Sequence, residues 1–449
     1  MSEEVIERWS SRRAFILAVA GAAIGLGNIW RFPYIAGENG GAVFFLLYVL
    51  FVLFMGLPIM AAEIMIGRAG RRPPIQALGA LAAEVGGSSL WRGIGLLGLV
   101  TVFLVLSFYS VVSGWSLEYL RQAIDGQFAQ RPPEQTASAF QAFLADPYHM
   151  ISNHTLFMVM TMAVVAAGIT KGLERLNNWL MPLLYLLLIS LVIYAMTTPG
   201  FGEAMHWLFA PDFAKLSVKV VLNAMGHAFF TLAVGACALM AYGAYMPDDQ
   251  SLPKAVVVVA VLDILVAVLS GIAIFSVVFS KGLNPAGGPE LVFITLPLAF
   301  GSLPLGSVLL AAFFMLLLFA TWTSSINLAE PMVASLQERG LSRIASALCV
   351  GVSVWAMGLL SALSFSTLAD VHPWKKMTFF DLVTSIPTDI FLPLGGMLTA
   401  IFAVYILDRA RAVQAYGSTA KGFICWHLVT RYMAIPLVTV VLLAALVSG

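Results

Sequence analysis

Gly21-Ala22-Ala23-Ile24-Gly25-Leu26-Gly27-Asn28-Ile29-Trp30-Arg31-Phe32-Pro33 lies inside an apolar run long enough to cross a bilayer, and it is built to interrupt a helix there. Gly21 and Gly25 alone read as a small-residue face for close helix packing. Packing leaves Gly27-Asn28 unexplained, and also the arginine three residues later. Polar and helix-weakening residues at bilayer depth are costly, and they persist where unwound backbone faces a protein interior. Local unwinding that exposes carbonyls and amides accounts for the whole stretch.

The rest of the chain agrees with a membrane setting. Of 449 residues, 60% are hydrophobic and 10% charged, against roughly 45–50% and about 25% in soluble domains. The net charge of +1 gives no attraction to nucleic acid. Cys237, Cys349 and Cys425 all lie in apolar stretches, which excludes a disulfide framework or a zinc cluster. A spanning helix needs about 20 mainly apolar residues. Eleven such stretches are predicted: 14–36, 42–66, 94–121, 155–169, 179–197, 220–243, 255–279, 306–334, 344–364, 386–407 and 426–447. The fourth is short, and the eighth is long enough to tilt or kink. The most polar loop runs from Asp125 to Asn153, and no soluble domain is predicted.

Lysine and arginine fall unevenly between the two sides of this array, sixteen against seven, with Arg31 left inside a span. The richer side holds the N-terminus, which positive-inside bias places in the cytoplasm of a cell whose inner membrane carries the protein; the C-terminus is then extracytoplasmic. Ser11-Arg12-Arg13 before an apolar run imitates a twin-arginine export signal, but ten further spans follow it.

Two other stretches repeat the message of the first. Span six contains Gly226, Thr231 and Gly235 at mid-depth, and interruptions in spans one and six predict an inverted repeat of five plus five. The repeats would be 14–197 and 220–407, with 426–447 an accessory span. Span eight carries Thr321-Trp322-Thr323-Ser324-Ser325-Ile326-Asn327. Hydroxyls in apolar helices often bond back to their own helix, but four with an amide in so few residues suit a hard cation bound through oxygen.

On these residues the chain resembles the neurotransmitter:sodium symporter family, in particular its bacterial amino-acid transporters. The likeness starts at Trp9, runs through Gly25 to Tyr34, and resumes at Glu38-Asn39-Gly40-Gly41, Glu63, Tyr109, Phe230-Thr231, Thr323-Ser324-Ser325 and Asp381. It covers nearly the whole chain. It implies an all-α, leucine-transporter-like fold that couples amino-acid uptake to sodium by alternating access. The implied partners are a small amino acid, two sodium ions and the bilayer, with no organic cofactor and no nucleic acid; the sequence sets no oligomeric state.

The resemblance also implies a site. The first sodium would be held by the Ala23 carbonyl, Asn28, Thr231 and Asp263, with the substrate carboxylate. The second would be held by the carbonyls of Gly21, Ile24 and Ala320 and the hydroxyls of Thr323 and Ser324. Amides around Leu26 and Gly27, with Tyr109, would meet the substrate carboxylate. Carbonyls of Phe230 and Thr231 would take its ammonium, and Ser324 lies beside them. Val105, Ala233, Ala236 and Leu328 would line the side-chain end, where Ala236 leaves room for large neutral L-amino acids and Asn327 threatens to add a polar contact. Phe230 and Tyr109 would form a lid, with Arg31 pairing Asp381 outside it and Asp389 as the alternative partner. Gly172 and Pro182 would hinge span five.

Some positions depart from the family pattern. The cytoplasmic gate arginine is Ile6 here, leaving Arg8 to pair with Glu338. His227 stands where many members have glutamine. The groups that hold chloride in chloride-dependent relatives match Tyr48, His227, Thr231 and Ala267, and the last has lost its hydroxyl, while Asp263 replaces a sodium-binding asparagine. Chloride-independent transport is therefore expected. A membrane enzyme is the rival from another class, but His149, His154, His206, His227, His372 and His427 show no catalytic spacing. An ion channel could use the same carbonyls but has no need of a pocket for a zwitterion.

Overall fold

The computed structural model describes residues 9–128, 133–247, 250–301, 303 and 305–448. Among the described residues the chain is helical, apart from one isolated bridge between Trp374 and Met377. Nine helices there are long and apolar enough to cross a membrane: Ala42–Gly70, Ser89–Ile124, Pro147–Ala166, Ile169–Ala195, Leu252–Ser280, Gly306–Gln337, Arg343–Leu363, Phe379–Ile406 and Ala420–Ala444. A bent pair, Arg12–Ala23 and Gly27–Glu38 at 45°, makes another crossing. Val218–Thr231 and Ala238–Ala244, each short, together occupy the place of predicted span six. The described residues thus give nine such helices, or ten crossings with the bent pair, and the two short helices stand where an eleventh is predicted.

Span one is capped by Ser11, whose hydroxyl accepts from the Ala14 amide at 3.1 Å. It stops when Ile24 turns extended (φ −84°, ψ 103°) after a last helical bond to Ala20. The carbonyls that follow have no helical amide beyond them to accept. The chain resumes as a π-helical turn, Gly27–Arg31, and Pro33 near the start of Phe32–Glu38 forgoes an amide that would be unsatisfied there. Span six breaks more sharply. Ala233, Gly235 and Cys237 all have positive φ (52°, 87° and 56°), a conformation that costs an L-residue about 1–2 kcal/mol. Glu63 of span two offsets that cost by accepting from the Gly235 amide at 2.5 Å. Both breaks meet in the core, where span one packs among spans five, seven and eight. Leu186, Ile193, Val261, Leu348 and Val352 face outward and exposed, as a bilayer-facing surface requires.

Four starts differ most from expectation: spans ten and eleven begin at Phe379 and Ala420 rather than 386 and 426, and the larger shifts are in spans four and five. Span four begins at Pro147, not 155: Asp146 caps it by accepting from Tyr148 and His149 amides at 2.9 and 3.2 Å. Residues assigned to the polar loop are thus its first two turns, and Pro133–Leu144 forms a further helix in that loop. Span five begins at Ile169 rather than 179, as a π-helical turn containing Lys171 and Glu174. Those charges depress the hydropathy of residues that are nevertheless helical. Span eight is the longest after span three and contains Pro331; its 32 residues extend about 48 Å, well beyond a 30 Å hydrocarbon core.

Candidate functional site

The break in span one faces span seven. Asn28 Oδ1 accepts from the Gly25 amide at 3.1 Å, and Asn28 Nδ2 donates to Asp263 Oδ1 at 2.7 Å and to the Asp263 carbonyl at 3.1 Å. Thr231, the last residue before the break in span six, donates its hydroxyl to Asp263 Oδ1 at 2.8 Å. Tyr48 donates to Asp263 Oδ2. All of these side chains are buried. Three predicted groups for the first cation, Asn28, Thr231 and Asp263, therefore converge at the end of the helix that carries Ala23. A carboxylate, an amide oxygen and a hydroxyl beside orphan carbonyls suit a hard monovalent cation.

His227, the residue most able to divert Asp263, does not touch it. Its ring packs among Phe32, Phe44 and Tyr48 at centroid distances of 5.8, 5.7 and 5.0 Å, and neither ring nitrogen has a partner.

The second predicted cluster lies where spans one and eight touch. Ser324 leaves its own helix and donates to the Ala22 carbonyl at 3.1 Å. Thr323 bonds back to Phe319 and Ala320 carbonyls at 3.0 and 3.1 Å, and Thr321 and Ser325 bond back to Leu318 and Trp322. Of the four hydroxyls, only Ser324 reaches span one. Gly21 and Ile24 bracket that contact, on either side of the last turn of the first half-helix.

Between the two clusters is a tight, apolar-lined void with about 20 Å³ of room for solvent. Leu26, Gly27, Val105, Tyr109, Phe230, Ala233, Ala236, Ser324 and Leu328 line it, together with Ala22, Ala23 and Gly25, whereas Thr231 is not among its lining residues. Leu392 of span ten also lines it and was not foreseen. The Leu26 amide donates to the Tyr109 hydroxyl at 2.9 Å, which fixes the ring over the break. A Cβ built on Gly25 would come within 2.9 Å of Ser324 Oγ and also collide with the Tyr109 hydroxyl, so a side chain at 25 would have to displace both. The Phe230 carbonyl accepts from the Ala233 amide at 3.2 Å. Asn327 is turned away from the void: its Nδ2 donates to the Ala18 carbonyl at 3.1 Å, and its Oδ1 accepts from the Tyr242 hydroxyl. The polar contact anticipated from Asn327 is therefore committed elsewhere.

The expected Arg31–Asp381 pair does not form. Asp381 instead completes a capping box with Thr378, accepting from its amide at 2.9 Å and its hydroxyl at 2.8 Å. Asp389 accepts from Thr388 at 2.9 Å. The Arg31 guanidinium lies over the Phe230 ring, 4.5 Å from its centroid, in a cation–π contact with a residue that lines the void.

At the arginine-rich end an Arg8–Glu338 pair is expected. Arg8 lies outside the described residues, and Glu338 is exposed on the rim of a vestibule of about 740 Å³ that Arg71, Arg72, Tyr245 and Arg343 also line. Arg343 of span nine pairs with the buried Glu330 of span eight at 2.6 Å and also donates to the Val165 carbonyl at 2.8 Å. Trp9 is buried against Tyr242, ring centroids 5.3 Å apart. Ser10 donates through its amide, at 3.0 Å, and its hydroxyl to Glu174 in the π-helical start of span five. Gly172 lies in that same turn, and Pro182 lies inside the α-helix that follows. A Cβ at Gly172 would collide with the Val164 carbonyl.

Comparison with known proteins gives a consistent answer. The family model described as "Sodium:neurotransmitter symporter family" matches residues 6–132 and 134–447. The chain is 35% identical over 455 residues to a protein of Bacillus subtilis described as the uncharacterized sodium-dependent transporter YhdH, covering all of this chain and 99% of that one. It is 31% identical to a sodium-dependent transporter of Haemophilus influenzae, with 97% of each covered. Among solved structures it matches MhsT in complex with L-phenylalanine at a TM-score of 0.92 and 42% identity, over 98% of this chain and all of that one.

Proposed function

We propose, for a chain that belongs to the sodium:neurotransmitter symporter family and is a multi-pass sodium-dependent transporter rather than an enzyme, that its cargo is a large neutral L-amino acid carried with two sodium ions and without chloride. The observation that carries this reading is Asp263. It is a fully buried carboxylate that shares Asn28 and Thr231 with the break in span one, beside an apolar void.

Two sodium ions and a zwitterion bring a charge of +2 into a water-excluded site, where an uncompensated charge costs several kcal/mol. Asp263 supplies one fixed negative charge at the first sodium, alongside Ala23, Asn28, Thr231 and the substrate carboxylate. Gly25 has no side chain to do that work, so the substrate must bring the carboxylate itself. The second sodium takes Gly21, Ile24 and Ala320 carbonyls with Thr323 and Ser324. Neutral oxygens from unwound backbone can replace the hydration shell without trapping the ion. The substrate carboxylate meets amides at Leu26 and Gly27 and the Tyr109 hydroxyl, and its ammonium meets the Phe230 and Thr231 carbonyls. The side chain points to Val105, Ala233, Ala236 and Leu328. That the structurally similar MhsT was solved with L-phenylalanine supports an aromatic or large aliphatic cargo.

Alternating access then moves two repeats, 14–197 and 220–407, about the midplane site, with 426–447 accessory. The N-terminus and the arginine-rich vestibule face the cytoplasm of a cell whose inner membrane holds the protein, and the C-terminus lies outside. Arg31 over Phe230 closes the outer side. Gly172 and Pro182 let the start of span five open the inner side. Sodium-driven uptake of labelled leucine or tryptophan into proteoliposomes, with a competition panel, tests the reading; better competition by glycine and alanine than by these would overturn the substrate class.

A further inference from the structure

Span five carries an asparagine for which the fold supplies no partner. Asn177 is fully buried, and neither Nδ2 nor Oδ1 makes a hydrogen bond. Buried amides are nearly always paired, because an unmade bond forfeits the hydration lost on burial. The side chain stands directly against Gly21: a Cβ built there would come within 2.5 Å of Asn177 Oδ1 and 3.2 Å of Asn327 Nδ2. Asn327, one turn beyond Thr323, is satisfied by Tyr242 and Ala18. Asn177 is the free amide at this spot.

Its place in the chain adds to this. Asn177 lies midway between Gly172 and Pro182, in the segment whose first turn is π-helical. One helical turn earlier, Glu174 is buried and engaged by the Ser10 amide and hydroxyl. From Gly21 toward the arginine-rich end, the oxygens met along span five are thus Asn177 and then Glu174, the second of them latched by the N-terminal segment.

We propose that Asn177 is a transit ligand for the second sodium ion. The inference rests on the second-site reading given above. The Asn177 amide oxygen accepts the ion as it parts from Gly21, Thr323 and Ser324, and Glu174 receives it once Ser10 lets go. A neutral oxygen suits this task, since a passing ion must be bound well enough to enter and weakly enough to leave. The unmade hydrogen bonds are the reserve that an ion in passage would use.

The test compares Asn177→Leu and Asn177→Asp with the native full-length protein in detergent and in proteoliposomes. Asn177→Leu should melt, without sodium, at the native temperature or above, since it removes an unsatisfied amide. It should bind labelled sodium at equilibrium within twofold of native, yet turn over at least tenfold more slowly. Asn177→Asp should lower the sodium concentration that half-saturates the second site at least threefold and slow turnover too. Native turnover in Asn177→Leu would overturn the proposal. So would slow turnover accompanied by a lowered melting temperature, or an unshifted sodium isotherm in Asn177→Asp. Thr323→Ala in the native background checks the parent reading separately: loss of one of two bound sodium ions supports it, and retention of both overturns the second site whatever Asn177 does.

Discussion

The Tyr48 hydroxyl donates to Asp263 Oδ2 at 2.5 Å, which leaves Oδ1 to the Asn28 amide and the Thr231 hydroxyl. Both carboxylate oxygens are thus occupied by donors from three different spans, and the aspartate is fixed where a cation bound at the span-one break would meet it. Hydrogen bonds from neutral donors to a charged acceptor are among the stronger ones, about 1.5–3 kcal/mol each.

Asp263 should therefore make chloride dispensable. Uptake is expected to persist when chloride is replaced by gluconate. Asp263→Asn should reduce uptake at least tenfold in either buffer, and partial rescue by chloride should require Ala267→Ser in addition. Tyr48→Phe, which removes one donor and no charge, should cost less. Full activity of Asp263→Asn in chloride-free buffer would falsify the assignment.

Ala236 should set the size of the cargo. It faces the void with Val105, Leu328 and Leu392, and filling a packed site with extra methylenes costs about 1–3 kcal/mol. Ala236→Phe is expected to weaken competition by tryptophan about tenfold or more while sparing alanine. Equal losses for both amino acids would place the side chain elsewhere.

Pro182 should act on rate rather than affinity. It has no amide to donate, so the helix at this point already lacks one bond and opens at low cost. Pro182→Ala is expected to slow turnover several-fold while equilibrium sodium and substrate binding stay near native. Unchanged transport rates would remove the hinge.

Two ion pairs at the arginine-rich end should behave very differently. In Arg343–Glu330 the side chains are 17% and 0% exposed, and in Arg411–Glu84 they are 47% and 41% exposed. Removing one partner of a buried pair costs about 3–5 kcal/mol, whereas an exposed pair contributes roughly 0–1 kcal/mol. Arg343→Ala should lower the melting temperature clearly, and Arg411→Ala should barely move it. Similar shifts in both would mean that Glu330 finds water or another cation once Arg343 is gone.

What could be read in the sequence depended on how much each residue cost where it stood. Gly27, Asn28 and Arg31 are expensive inside a span, so the break is legible from the residues alone, as is Thr231 between Gly226 and Gly235. Asp263 enters only through the family resemblance. Leu392 is not legible, because a leucine in an apolar helix looks the same whether it faces lipid or a void. Asn177, next to Asn178 and Arg175, carries no signal of its depth in the sequence, and only packing reveals that it is buried. The pairing of Glu330 with Arg343 is hidden by the turn between two spans. Asp381 was misplaced despite a local signal: Thr378 three residues before it is a capping box, and that nearer partner outcompetes Arg31. Likewise Asp146-Pro147 marks the true start of span four, a cap followed by proline at the first helical position, which the hydropathy of the loop obscured.

Gly235 in the break of span six rests on span ten: a Cβ added to it would strike the Leu392 carbonyl, and one added to Gly395 would strike the Gly235 carbonyl. Backbone therefore touches backbone across this seam, and neither glycine can mutate without displacing the other helix along with the Leu392 wall. The two positions form a single heritable unit. In a homologue that has lost either glycine, span ten must have shifted, and its cargo preference is not comparable with this one residue by residue. The pair thus sorts relatives into those whose pocket can be inferred by alignment and those whose pocket must be solved afresh.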